Sequence, residues 1–201
     1  NLIAKVTITL AEGHVLNLGI DNYQNETNTK IFSDYGTLAR GTLVNSRDAE
    51  DEKDRTRYSI TYEHTGDSVF ADDASFTIYQ QESETQQLTL ESRTPPGRAS
   101  QFRRRDSIFE QEINGAVLQV GKSFDISGAT HFITYGVDYY ETDNESIRDG
   151  GSTDAATGAP IFEFFPLPTR DFPSTEVTQL AFFLQDEIDL LDGRLLLSPG
   201  F

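Results

Sequence analysis

Leu2-Ile3-Ala4-Lys5-Val6-Thr7-Ile8-Thr9-Leu10 opens the chain. Leu2, Ala4, Val6, Ile8 and Leu10 recur at every second position, while Lys5, Thr7 and Thr9 share the opposite face with Ile3. A period of two is the signature of a strand with one apolar face. Ala11-Glu12-Gly13 breaks the pattern as a turn, and Leu16, Leu18 and Ile20 resume it against Asn17, Gly19 and Asp21. Two alternating runs across so short a break predict a hairpin.

The same pattern recurs downstream. Tyr58, Ile60 and Tyr62 oppose Arg57, Ser59, Thr61 and Glu63. Phe76 and Ile78 oppose Ser75 and Thr77, and the run then fades into the polar stretch 80–87. A fifth strand is predicted over about 105–121, with its faces unresolved because Ile113 and Val117 disagree with Ala116, Leu118 and Val120. Ile133, Tyr135, Val137 and Tyr139 oppose Thr134, Gly136 and Asp138 in a sixth. A seventh covers about 176–189, and the turn Leu191-Asp192-Gly193 leads to an eighth over 194–201. Leu180, Phe183, Leu184, Ile188 and Leu191 would also fit a helical face. The β-rich context and the Asp192-Gly193 turn favour a strand.

The connections are sorted. Short turns are expected at 11–13, 65–73, 125–128 and 191–193. Long loops are expected at 25–54, around Pro95-Pro96-Gly97 and at 144–175. Strict alternation of short and long places every short turn at one end of an antiparallel sheet and every long loop at the other. Transmembrane β-barrels have that asymmetry. The uncharged stripes agree with it: charge on a lipid face costs up to about 2–4 kcal/mol at the midplane, whereas charge facing the lumen is solvated. Tyr58, Tyr62 and Tyr139 fall near strand ends, where an aromatic girdle lies. A soluble β-sandwich also alternates, but it does not require the large loops to crowd one end. The fold class expected is therefore all-β: an antiparallel transmembrane β-barrel segment of about eight strands.

Composition narrows the functions. The 201 residues carry a net charge of −17 and contain no cysteine, methionine or tryptophan. Acidity argues against a nucleic-acid binder, and the absence of cysteine removes disulfides, thiolate metal sites and a thiol nucleophile. No apolar run is long enough for a transmembrane helix, and no signal peptide is evident at the start. A chain that opens at Asn1 inside an alternating run is expected to be a section of something longer. The mean hydropathy of −0.46 excludes only a helical membrane protein.

Chemical motifs are scarce. Gly115 to Gly121-Lys122-Ser123 has five residues between its glycines where a phosphate-binding loop needs four, and no helix follows. No nucleophile-elbow, zinc-protease or calcium-loop pattern occurs, so no catalytic or metal-binding residue is assigned and no enzyme chemistry is expected. His14, His64 and His131 each border a short turn and are read as interfacial side chains rather than haem or metal ligands. Tyr35 is a candidate ligand contact without distinguishing features. Arg93, Arg98 and Arg103-Arg104-Arg105 flank the loop around 95–97. The plain reading is solvated loop charge; the functional one is a contact to an external ligand or partner.

One resemblance runs the length of the chain. Phe172-Pro173-Ser174-Thr175-Glu176-Val177-Thr178, then Leu184-Gln185-Asp186-Glu187-Ile188, Asp192-Gly193-Arg194-Leu195 and Ser198-Pro199-Gly200-Phe201, resemble TonB-dependent outer-membrane receptors of the haemoglobin and haem (transferrin/lactoferrin) uptake group. Asn1-Leu2-Ile3-Ala4-Lys5 and Ser33-Asp34-Tyr35-Gly36 are also similar to that group. The resemblance implies that residues 1–201 form part of one 22-stranded barrel domain of the bacterial outer membrane. It further implies a plug and a TonB-contacting box outside this stretch. The implied function is TonB-energised uptake of haem or another iron source. Haem would then be the transported ligand and not a covalently bound cofactor. The expected partners are TonB, an external haem-protein or iron chelate, and outer-membrane lipid. The group's ligand motifs map onto no residue here, so no cofactor-binding residue is carried over. A siderophore or vitamin importer of the same architecture, or a passive pore or small closed eight-stranded barrel, are the competing readings. The sheet is expected to leave its first and last strands apart.

Overall fold

The computed structural model describes residues 1–38, 41–170, 172–191 and 193–201. Its strands are β1 (Leu2–Ala11), β2 (His14–Lys30), β3 (Gly36–Thr37), β4 (Leu43–Thr65), β5 (Asp73–Thr94), β6 (Gln101–Ile126), β7 (Ala129–Asp154), β8 (Pro160–Ile161), β9 (Thr175–Leu190) and β10 (Leu195–Leu197). All lie in one antiparallel sheet in the order β1-β2-β4-β5-β6-β7-β9-β10, with β3 beside β4 and β8 beside β7. Each long strand pairs with its neighbour in sequence, as an up-and-down barrel wall requires. β1 pairs only with β2 and β10 only with β9, so the eight-strand path does not close on itself. Nor is there a second layer: among the described residues the buried apolar side chains are Val44, Ala71, Val120 and Ala129. A sandwich would bury one whole face of each sheet.

Two adjacent rows show how the sequence makes a wall. Val6, Leu18, Ile60, Ile78, Ala116, Tyr139 and Leu180 stand opposite one another across seven strands, and so do Ile8, Leu16, Tyr62, Phe76, Leu118, Val137 and Phe182. Both rows are free of charge, and most of their larger members are exposed, Phe182 at 67 %. This is the outer, lipid-type face. The row between them, Thr7, Asn17, Thr61, Thr77, Val117, Asp138 and Ala181, faces the other way. Lys5, Asp21, Arg57, Glu63 and Asp138 all belong to this inner face, as their alternation requires. The ambiguity in β6 resolves the same way. Ala116, Leu118 and Val120 point outward, whereas Ile113 and Val117 point inward beside Thr142 and Asp138.

Inner-face packing depends on glycine. Tyr79 occupies the space where a Cβ on Gly115 would lie, and the Arg57 guanidinium sits 4.1 Å from the Tyr79 ring centre. At Gly136 a Cβ would fall 2.1 Å from the carbonyl oxygen of Leu118 on the neighbouring strand. Turn chemistry is equally specific: Ser127 and Gly128, the two residues between β6 and β7, both have positive φ, +53° and +83°. Two positive φ angles give a two-residue hairpin the twist its strands need.

The expected irregular stretches prove to be much shorter. β2 continues to Lys30 and β4 begins at Leu43, so the acidic run 48–54 is ladder and not loop. β5 does not fade at 80–87 but pairs as far as Thr94, and β6 and β7 each run 26 residues. Among the described residues, what remains outside the long strands at this end is 31–38 and 41–42, which include β3, then 95–100, and 155–170 and 172–174, which include β8. A 26-residue strand is about 85 Å long at the usual rise, whereas a tilted strand crosses the hydrocarbon in about 9–11 residues. Beyond the apolar rows both faces are wet, so polar residues occupy both and the period of two disappears while the backbone ladder continues. β9 is a strand throughout, not a helix. The eighth expected strand is β10 followed by Gln185↔Gly200 pairing in the same register, interrupted where Pro199 has no N–H to donate. Asp192 of its turn lies outside the described residues.

The turns are staggered. The row through His14 reaches Val120, six residues short of the β6–β7 closing pair Ile126–Ala129. Such slippage is expected of strands tilted by about 35–45° to a barrel axis.

Candidate ligand-binding wall

Sorting by height gives three zones: a turn end, the apolar belt, and a tall polar extension at the loop end. The three histidines lie at the turn end on the outer face. His14 Nδ1 and the Tyr62 hydroxyl share a 2.6 Å hydrogen bond, and the His14 and His64 rings stack at 4.7 Å. His131 Nδ1 lies 2.9 Å from Asp186 Oδ2 and its ring stacks on Phe124. No group of three His, Cys, Asp or Glu among the described residues is arranged to hold a metal ion.

The β4–β5 connection also belongs to this end. Residues 66–72 fold back over the outer face of β6 and β7. Lys122 Nζ donates to the carbonyl of Ser68 and pairs with Asp67 and Asp72, and the Tyr135 hydroxyl donates to the carbonyl of Phe70. These bonds hold a knuckle from which Val69 and Phe70 project, 84 % and 80 % exposed.

Above the apolar belt the outer face is acidic. Glu82, Glu112, Asp143 and Glu176 stand opposite one another on four successive strands, and Asp54, Glu84, Glu110 and Glu145 form the neighbouring row. Together they line a shallow cleft. Gln80 and Asn114 donate to Glu112, and those hydrogen bonds hold its pKa below the usual 4.5.

The inner face at the loop end is different. Arg47, Glu91 and Arg103 are register neighbours on β4, β5 and β6, with Ser152 of β7 next in the row. Arg47 pairs with Asp34 and with the buried Glu91, and Arg93 lies 3.6 Å from the same Glu91. Arg105 Nη2 donates to Glu163 Oε2 at 2.6 Å, and Ser152 Oγ donates to Glu163 Oε1 at 2.7 Å. Glu163 thereby holds the 155–174 loop over the inner wall. Burial alone would raise its pKa; the Arg105 and Ser152 hydrogen bonds and the nearby Arg103 charge win and lower it. Phe162, Phe164 and Phe165 on the same loop remain exposed, and Phe172 meets Phe109 further along.

Of the arginines marked in the sequence, Arg93, Arg103 and Arg105 converge on this inner wall. Arg104 points outward and pairs with Asp106, and Arg98 closes the turn begun by Pro95. Tyr35 packs edge-on against Phe32 beside the wall. Arg47, Glu91, Ser152 and Glu163 carry no local sequence signal. Their roles follow from pairing between residues as far apart as Arg105 and Glu163.

An open antiparallel wall with an apolar outer belt, a charged inner face, short turns at one end and tall hairpins at the other defines a membrane-spanning β-barrel segment. The model of the "TonB dependent receptor-like, beta-barrel" family matches residues 6–201, and the chain belongs to that family. Its members are transporters of the bacterial outer membrane, energised through TonB, and not enzymes. No curated protein matches the chain.

Proposed function

We propose that this chain is a section of the wall of a larger, 22-stranded receptor, plugged in its lumen, that imports haem or another iron source. Ligand would be captured at the loop end and pass along the polar inner face once a TonB-driven rearrangement opens the plug. The observation that supports this reading best is the division of the wall itself. Lipid is met by two uninterrupted apolar rows, while at the same height the inner face carries polar and charged side chains and continues upward to an arginine-rich rim. A strain lacking the gene should fail to grow on haemoglobin as sole iron source and recover when the gene is restored. Loss of growth on a siderophore, with growth on haemoglobin intact, would replace haem by a siderophore as the cargo.

A further inference from the structure

We propose that Arg103 is the centre of an anion-binding site on the inner wall, and that the ligand captured there carries carboxylate or phosphate groups. The inference deepens the import reading above and rests on the inner face being the ligand's path.

Four arginines, Arg47, Arg93, Arg103 and Arg105, share this wall with three acids, Asp34, Glu91 and Glu163. The acids are all engaged: Asp34 by Arg47, Glu91 by Arg47 and Arg93, Glu163 by Arg105. Among the described residues Arg103 has neither an ion pair nor a side-chain hydrogen bond, and its Nε is buried without a partner. Burial and the like charges of Arg105 and Arg93, between which it stands, disfavour its cation, and the charges of Glu91 opposite it and of Glu163 offset only part of this. In a chain of net charge −17, an unpaired guanidinium held among other guanidinium groups is costly unless an anion completes it. The guanidinium fork suits bidentate contact with a carboxylate or phosphate. The fold pre-forms the place: β5 and β6 set Arg93 and Arg103 on one face, and the Glu163 clamp fixes Arg105 beside them.

The test uses the intact receptor in detergent, with binding followed by calorimetry. The probes are haemin, its dimethyl ester, ferric citrate and, as an iron-free anion, pyrophosphate. At least one charged probe should bind, and Arg103→Gln should weaken it by about tenfold or more, the scale of a lost charge-assisted hydrogen bond. Arg103→Lys should restore part of that loss. If haemin is the probe that binds, its uncharged ester should bind less tightly. Arg103 holds no ion pair, so Arg103→Gln should leave the barrel folded, checked by its heat-dependent shift in gel mobility. Equal binding of haemin and its ester, unchanged in Arg103→Gln, would overturn the anion site and leave iron import standing. Binding of pyrophosphate alone, lost in Arg103→Gln, would uphold the site and remove iron from the function. Failure of every charged probe to bind would overturn the site.

Discussion

At the level of single residues, one step along a strand exchanges lipid for lumen. Ile60 and Thr61 are chain neighbours on β4, yet Ile60 sits in an apolar row and Thr61 shares a 2.9 Å hydroxyl hydrogen bond with Thr77 on the inner face. Ile60→Arg should therefore destabilise the folded receptor by about 2–4 kcal/mol, whereas Thr61→Arg should cost far less. Urea titration of the receptor refolded in lipid vesicles measures both, and equal losses would contradict the assigned faces. The glycines make a related point. Gly136→Ala would drive a methyl group into the Leu118 carbonyl, which belongs to a ladder strand and cannot swing aside. A loss of about 1–3 kcal/mol is expected in the same titration, as for other overpacked sites.

Elements were legible in the sequence only where one face meets lipid. Each apolar run, such as Leu16–Ile20 or Ile133–Tyr139, was visible because its two faces have different solvents. The strand extensions beyond it were not visible: Asp48–Asp54 has water on both sides, so nothing selects alternation, and only the partner strands reveal that it is ladder. Ile113 and Val117 obscured β6 for a related reason, since the inner face accepts apolar residues as well as polar ones. The arginine cluster was half legible, its basic run visible and its acidic partners hidden in distant segments. Two elements carry predictions of their own. The 155–174 loop is clamped by a Glu163 carboxylate whose pKa is lowered, so the clamp should hold fully above pH 4.5 and weaken as pH falls through that lowered value. A spin label at Phe164→Cys should gain mobility on acidification, and Glu163→Gln should make it mobile at every pH. At the opposite end, the 66–72 knuckle projects Val69 and Phe70 from the lipid-facing side. With no native cysteine in this chain, a fluorophore at Phe70→Cys should be quenched by nitroxide-bearing lipids, whereas one at Gly97→Cys, in the loop-end turn, should not.

On the scale of the whole molecule, the −17 charge is not spread evenly. Part of it forms two stacked rows of carboxylates on the outer face above the lipid belt, with Glu82, Glu112, Asp143 and Glu176 directly opposed across neighbouring strands. Like charges directly opposed weaken a sheet, so this belt should be the salt-sensitive part of the wall. Asp143 is a suitable probe because it stands between Glu112 and Glu176, and replacing it with Asn removes two repulsions while keeping the side-chain shape. Asp143→Asn should raise the thermal midpoint of the intact receptor at low ionic strength. The gain should fade at about 1 M salt, where screening falls to about 3 Å. A gain independent of salt would mean that Asp143 is relieved of something other than charge, and a loss would mean that the carboxylate row holds the strands together.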